Sequence, residues 1–86
     1  MITRKAILHL KPGNIIYHVK NRNTDGTPQR WRVNGVCKLW KTRPLDFKLP
    51  LKHGLYTYGY LIPENQDLFC KTEKAAHATA LMHIPY

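Results

Sequence analysis

The sequence is poor in acidic residues and in cysteine. Its 86 residues contain 5 Asp plus Glu against 14 Lys plus Arg, which gives a formal net charge of +9 with histidine neutral. So few carboxylates leave little material for paired acid–base catalysis, and the excess of positive charge favours an anionic partner. The two cysteines, Cys37 and Cys70, are too few for a disulfide scaffold, so we expect reduced thiols and a cytoplasmic protein.

Long apolar runs, internal repeats and a Gly-rich phosphate loop are also missing. No stretch approaches the ~18–20 consecutive apolar residues that cross a bilayer, so we expect no membrane partner. The apolar run after Arg4 and Lys5 stops at Lys11 without a small-residue cleavage site, which argues against a signal peptide. The composition, 43% hydrophobic, still supplies a core for one small domain, which we expect to span residues 1–86.

Turn-forming residues divide the chain into short apolar stretches that predict β-strands. The breaks fall at residues 12–13, 21–28, 42–44, 53–54 and 63. The first strand is expected at about residues 14–20, with Ile15, Tyr17 and Val19 on one face. The stretches together predict an all-β domain with about five short antiparallel strands.

Residues 29–40 allow two interpretations. Asn34–Gly35 is a strong local signal for a tight hairpin, but the same residues also fit one long strand that bends or bulges at Gly35. We prefer the long strand, because it gives the cleaner alternation of apolar and polar side chains. Its apolar side would carry Trp31, Val33, Cys37 and Leu39, which we therefore expect to be buried together.

The best-defined pairing is a hairpin across His53–Gly54. A two-residue turn there sets apolar side chains against aromatic ones on one face: Leu51 opposite Tyr56, Leu49 opposite Tyr58, and Phe47 opposite Tyr60. This is the most hydrophobic face available, so we expect the three tyrosines to belong to the core. The alternative is that they form a platform on which bases stack.

A different pattern follows Pro63. Residues 64–69 predict a single helical turn, because their acidic residues lie near its N-terminus. Thr72 is placed to cap a short alanine-rich helix, expected over about residues 72–83 and ended by Pro85. A helix this short is marginal alone, so we expect it to dock on the sheet or on a neighbouring subunit.

The order of these elements carries a resemblance at the level of architecture. A Leu-x-Pro-Gly-x-x-Ile entry from Leu10 to Ile16 is followed by the bend at Gly35, the hairpin from Phe47 to Leu61 and the helical turn. Over about residues 10–69 the chain resembles the small SH3-like or Sm-like β-barrels, and this implies such a barrel followed by the C-terminal helix. Barrels of this kind often bind nucleic acid or peptides, and some form rings.

Two short segments carry a second resemblance. The segments 40–44 and 52–56 are similar to small phage-like or environmental sequences. This resemblance implies no particular activity.

Basic residues are concentrated in the predicted second and third strands and in the loop between them. In the predicted sheet they share one surface, which would either bind phosphates or be a solvated charged face. Trp40 lies on this side and is the candidate for base stacking. We expect non-catalytic binding of RNA or DNA, mainly through phosphates. The expected site residues are Arg30, Arg32, Lys38, Trp40, Lys41, Arg43, Lys48 and Lys52.

Two other functions remain open from the sequence. The first is an assembly module in which the barrel edge and the C-terminal helix form a homo-oligomer. The second is a small endoribonuclease toxin that uses His53 or His18 as its acid or base. His77 and His83, which follow Cys70, lack the spacing of metal ligands, so we expect no metal and no other cofactor.

Overall fold

Six antiparallel strands and two short helices make up the chain in a computed structural model, which describes residues 2–82, with side chains as far as Thr79. In chain order the elements are α1 (Arg4–Leu8), β1 (Ile15–Arg22), β2 (Pro28–Val33), β3 (Lys38–Trp40), β4 (Arg43–His53), β5 (Thr57–Leu61), a 3-10 turn (Pro63–Leu68), β6 (Phe69–Cys70) and α2 (Glu73–Met82). The predicted antiparallel β class and the short C-terminal helix are confirmed, with six strands where about five were expected.

The strands form one sheet in the order β3-β4-β2-β1-β6, and β5 pairs with β4. Within residues 2–82 no pairing joins the two ends of this order, so the sheet is open. The core lies on one face, where seven buried residues come from the sheet and its connections: Ile16, Val33, Phe47, Leu49, Leu51, Leu61 and Phe69.

The N-terminal segment completes this core. Ile2 and Ile7 are buried in it, and the hydroxyl of Thr3 caps α1 by accepting from the backbone N–H of Ala6 at 3.2 Å. The barrel expected from the sequence began only at about residue 10, so α1 was not foreseen. Five helical residues are too few to leave a clear periodic signal.

Residues 28–40 form one long interrupted strand, as predicted, and the hairpin interpretation is wrong. β2 and β3 pair with successive parts of β4, with Val33 opposite Leu51 and Lys38 opposite Lys48. Between these two pairs, residues 34–37 of the long strand lie opposite residues 49–50 of β4, and this excess of residues on one strand is a bulge. A Cβ on Gly35 would lie 3.1 Å from Cγ of Pro50, so a larger residue here would have to push the proline ring aside.

The burial expected on this strand is confirmed only in part. Val33 is buried, and Trp31 and Cys37 are half-buried against the core, but Leu39 is 54% exposed. β3 is three residues long and lies at the end of the strand order, so its side chains have a neighbouring strand on one side only. Burial also raises the pKa of the Cys37 thiol.

The register predicted for the β4–β5 hairpin is wrong. The loop has three residues, from Gly54 with φ +67° to Tyr56, and His53 pairs with Thr57. Compared with the prediction, the pairing moves by three residues, and an odd shift transfers a strand's side chains to the opposite face. The tyrosines at positions 56, 58 and 60 are therefore exposed instead of buried.

The first strand, β1, buries residues on both of its faces. Ile16 and His18 face the core, whereas the predicted set Ile15, Tyr17 and Val19 lies on the opposite face. There Val19 and Tyr17 pack with Cys70 of β6 and Ala76 of α2 in a second, smaller cluster. Alternation alone could not show which of the two faces meets the larger core.

The C-terminal elements follow the prediction closely. The helical turn after Pro63 is present, and Asn65 within it donates to the carbonyl of Tyr60 at 2.8 Å. The Thr72 hydroxyl accepts from the N–H of Ala75 at 3.1 Å and caps α2 as expected. The predicted helix end at residue 83 and Pro85 lies outside the described residues. None of the helices described between residues 2 and 82 has the length and hydropathy of a membrane span.

Candidate nucleic-acid interface

The sheet surface opposite the core is strongly basic. We define the basic face as the outer surface that carries Arg30 and Arg32 of β2, Lys38 of β3, and Lys48 and Lys52 of β4. These residues alternate along their strands with the core, so their side chains point away from it. The register then brings tyrosines of β5 to the same face, since Tyr58 lies opposite Lys52 and Tyr60 opposite Pro50.

Two positions of the basic face place like charges side by side. Arg32 lies directly opposite Lys52, and Lys38 lies directly opposite Lys48. Such pairs destabilise an antiparallel sheet. The described carboxylates near these residues are Asp46, which forms an ion pair with Arg43 at 3.5 Å, and Glu64, which lines a small cavity beside Lys48. The basic face therefore keeps a large uncompensated positive charge.

Three aromatic rings on this surface have a cation over them. The ammonium of Lys48 is 4.1 Å from the ring centroid of Tyr60, and that of Lys52 is 5.1 Å from the ring of Tyr58. Trp40 has two such neighbours, Lys38 at 5.1 Å and Arg43 at 4.7 Å. Cations and rings thus alternate across the surface, which is the arrangement found in proteins that hold a nucleic-acid backbone and stack its bases.

The eight residues predicted for the site lie on β2, β3, β4 and the turn between β3 and β4. Lys41 lies in that turn and Arg43 begins β4, so with Trp40 they form one end of the surface. Among the eight, Trp40, Lys48 and Lys52 are half-buried and the others are exposed.

Sequence reasoning missed Tyr58 and Tyr60 as members of this surface. The preferred interpretation of the sequence places both in the core, because a two-residue turn at His53–Gly54 sets them opposite apolar partners, and the base-stacking platform is only its alternative. A usable signal lay in Leu61, because the observed register pairs it with Leu49 and buries both leucines. That arrangement also sets Gly59 against Trp31, where an added Cβ would lie 3.3 Å from the indole ring.

Helix α2 closes one end of the basic face. Tyr17 of β1 lies opposite Arg30, and its ring packs with the cluster that α2 covers through Ala76. The helix therefore lies on the same side of the sheet as the basic residues, at the β1–β6 end. The open part of the surface extends from β2 across β4 to β5 and to the β3–β4 turn.

The two histidines considered for catalysis are held by the backbone. The Nδ1 atom of buried His18 accepts from the N–H groups of Lys20 and Asn21 at 3.1 and 2.9 Å. Burial, with the charges of Lys20 and Arg22, lowers the pKa of His18. The ring of His53 donates from Nδ1 to the carbonyl of Arg30 at 3.0 Å and packs on Trp31.

The described part of the chain places no carboxylate in an ion pair with His18 or His53. It also contains no group of three or more His, Cys, Asp or Glu side chains arranged to hold a metal ion. Cys37 and Cys70 are not joined in a disulfide.

Comparison of the chain with protein-family models, with curated proteins and with solved structures found no match. Its function is therefore argued from the geometry of the basic face.

Proposed function

We propose that the basic face binds nucleic acid without cleaving it, mainly through contacts to phosphate groups. The observation that supports this best is the pairing of like charges, Arg32 with Lys52 and Lys38 with Lys48. Each pair costs stability in the unliganded protein, and a phosphate placed between the two cations would replace repulsion with attraction. A face that only needed to be soluble would gain stability from alternating charges instead.

The proposal is tested with a triple charge reversal, Arg32→Glu, Lys48→Glu and Lys52→Glu. The matched control reverses Lys5, Lys11 and Lys71, which are exposed and lie outside the strands of the basic face. Binding of labelled single- and double-stranded oligonucleotides is measured at two salt concentrations. With about five phosphates engaged, log affinity should fall against log salt with a slope of roughly −3.5 to −4.5.

We expect the basic-face variant to lose binding and the control to keep most of it, although both change the net charge equally. Thermal melts of both variants verify folding. Substitutions at exposed positions such as Arg32 and those of the control usually change stability by about 0.5 kcal/mol or less each, and the melts show whether the half-buried Lys48 and Lys52 tolerate the reversal as well. Equal losses in the two variants would mean that net charge alone attracts the nucleic acid, and would contradict a defined site.

The placement of the histidines supports binding without catalysis. Nδ1 of His18 already accepts two backbone hydrogen bonds in a buried position, and Nδ1 of His53 is engaged by a backbone carbonyl. An endoribonuclease toxin needs an acid and a base positioned together. Cleavage of an RNA probe during the binding experiment, lost in His53→Ala, would favour that alternative.

A second proposal, assembly into a homo-oligomer, is favoured by exposed apolar side chains. Val36, Leu39 and Leu45 lie on or next to the β3–β4 pair, and all three are exposed. We also propose that the fold is related to the SH3-like and Sm-like barrels, some of which form rings. The bulged strand at Gly35 and the β4–β5 hairpin support this relationship. Light scattering tests assembly: a mass above that of one chain, reduced by Leu39→Ser with Leu45→Ser, would support it.

A further inference from the structure

The spacing of the two tyrosines on β5 matches the bases of an extended single strand better than those of a duplex. Tyr58 and Tyr60 are two residues apart on one strand, and they are 64% and 49% exposed on the basic face. Side chains two positions apart on a strand project from points about 6.7 Å apart. The backbone of β5 therefore sets the attachment points of the two rings about 6.7 Å apart.

Bases in a duplex follow one another at about 3.4 Å along each strand. Stacking covers their faces and pairing covers their hydrogen-bonding edges. Two successive bases can meet two rings about 6.7 Å apart only when the strand is opened to roughly twice its duplex rise. Such an opened strand exposes its base faces, and tyrosine rings are among the side chains that bases stack on. The interval therefore fits an extended single strand and excludes simultaneous stacking by neighbouring bases of a duplex.

Each of these two rings has a lysine ammonium beside it that can contact a phosphate. The ammonium groups of Lys52 and Lys48 lie over Tyr58 and Tyr60, at 5.1 and 4.1 Å from the ring centroids. The ammonium covers one face of each ring, so a base would stack on the opposite face, with the cation nearby to attract its phosphate. Lys48 and Lys52 are four residues apart on β4, which is about 13 Å along the strand.

The track continues beyond Tyr60 toward Trp40. Lys48 contacts the ring of Tyr60 and also lines a cavity of about 140 Å³ whose wall includes Trp40, Phe47 and Pro63. One lysine thus joins the tyrosine pair to a third aromatic side chain. The cavity also has the carboxylates of Asp46 and Glu64 in its wall, which can accept from the amino group of a base.

We propose, resting on the proposed function, that the basic face takes single-stranded nucleic acid, with successive bases stacked on Tyr58 and Tyr60. The phosphates of this strand lie between the cations of β2 and β4. Affinity for a single strand then contains a stacking contribution that a duplex cannot obtain, although both present phosphates to the same cations.

The test compares three probes with the full chain by fluorescence anisotropy. They are a single-stranded DNA of about 12 nucleotides, the same strand in a duplex, and a strand of equal length with abasic sites in its centre. The variant is Tyr58→Leu with Tyr60→Leu, which removes the rings and keeps apolar side chains. Its controls are Tyr58→Phe with Tyr60→Phe, which keeps both rings, and Tyr56→Leu, which removes an 88% exposed ring from the loop.

We expect the double leucine variant to bind the single strand at least about tenfold more weakly, with duplex affinity changed less than about twofold. Tyr56→Leu should bind like the unaltered protein, and the phenylalanine pair should bind the single strand more tightly than the leucine pair, because it keeps both rings. The unaltered protein should prefer the complete strand to the abasic one, and the leucine variant should not distinguish them. Melting curves verify that each variant is folded.

Equal losses for single strand and duplex in the leucine variant, or no loss for either, would overturn the stacking proposal and leave phosphate binding intact. An unaltered protein that binds none of the probes in a salt-sensitive manner would overturn the proposed function itself. The two failures are therefore distinguishable in one experiment.

Discussion

Arg32 of β2 and Lys52 of β4 lie directly opposite each other on the outer face of the sheet, and the ammonium of Lys52 is also over the ring of Tyr58. Two cations at a cross-strand position repel, and the sheet tolerates this in the absence of an anion. The same relationship is repeated by Lys38 and Lys48 on the neighbouring pair of strands. Replacing one cation of such a pair with a carboxylate should therefore raise the stability of the protein and lower its affinity for nucleic acid.

Arg32→Glu should therefore raise stability while it weakens nucleic-acid binding. The change converts a repulsive cross-strand pair into an attractive one, worth roughly 0.2–1 kcal/mol in the free energy of unfolding. Chemical denaturation measures the first effect and oligonucleotide titration the second. Lys5→Glu in α1, an equal charge reversal away from the basic face, should change neither by much. A less stable Arg32→Glu protein that still binds would contradict the role assigned to this pair.

Tyr58→Ala should be a mild substitution. The side chain is 64% exposed and contacts Lys52 over its ring, so its loss should cost about 1 kcal/mol or less. Leu51→Ala, on the buried face of the same hairpin, should cost about 2–5 kcal/mol because it leaves a cavity. Thermal and denaturant melts compare the two. Equal losses of stability would indicate that Tyr58 is buried, as the preferred interpretation of the sequence predicts.

Gly35→Val should destabilise the bulge by about 1–3 kcal/mol through overpacking. A Cβ at this position would lie 3.1 Å from Cγ of Pro50, and that ring atom belongs to a rigid side chain. Pro50→Ala removes the obstructing atoms, so the double variant should be more stable than the two single losses added together. Strictly additive losses would show that Gly35 is required for another reason, such as its backbone conformation.

Stability should fall in mild acid because of His18. The neutral ring accepts from two backbone N–H groups, and burial with Lys20 and Arg22 lowers its pKa in the folded chain. The unfolded chain therefore binds this proton more readily, so the contribution is complete above about pH 6.5 and is lost as the pH falls toward the lowered pKa.

His18→Asn provides the measurement, because the amide oxygen keeps an acceptor near the position of Nδ1 and does not titrate in this range. Melting temperatures of both proteins are compared between about pH 7.5 and about pH 5. The unaltered protein should lose more stability over this interval than the variant. Parallel curves for the two proteins would assign the acid sensitivity to other groups.

The strand pattern, the bulge and the C-terminal helix could be predicted because each rests on a local signal. Thr72 with the alanines after it predicts a capped helix, and the apolar alternation through Gly35 favours a long strand over the hairpin there. The face of β5 could not be predicted in the same way, because Tyr56, Tyr58 and Leu61 allow two registers that differ by three residues. Tyrosine occurs both in protein cores and on binding surfaces, so the residue type does not decide between the two registers.

The basic part of the candidate site could be predicted because its charged residues alternate with apolar residues along the strands. Arg30, Arg32, Lys48 and Lys52 alternate with apolar residues and reach one face for that reason. The aromatic half of the surface depends on the length of one loop, Gly54 to Tyr56, and loop length is set by the pairing that forms around it. α1 was missed because it has only five residues and buries a single side chain, that of Ile7, which leaves no periodic signal.

The amide of Asn65 covers part of the outer margin of β5. Its Nδ2 donates to the carbonyl of Tyr60, and its Oδ1 accepts from the N–H of Ile62, so the side chain occupies backbone groups at the outer margin of β5. An additional strand from a second molecule would have to displace this amide before it could extend the ladder past Gly59. Edge-to-edge polymerisation is thereby discouraged at the margin where the tyrosines lie.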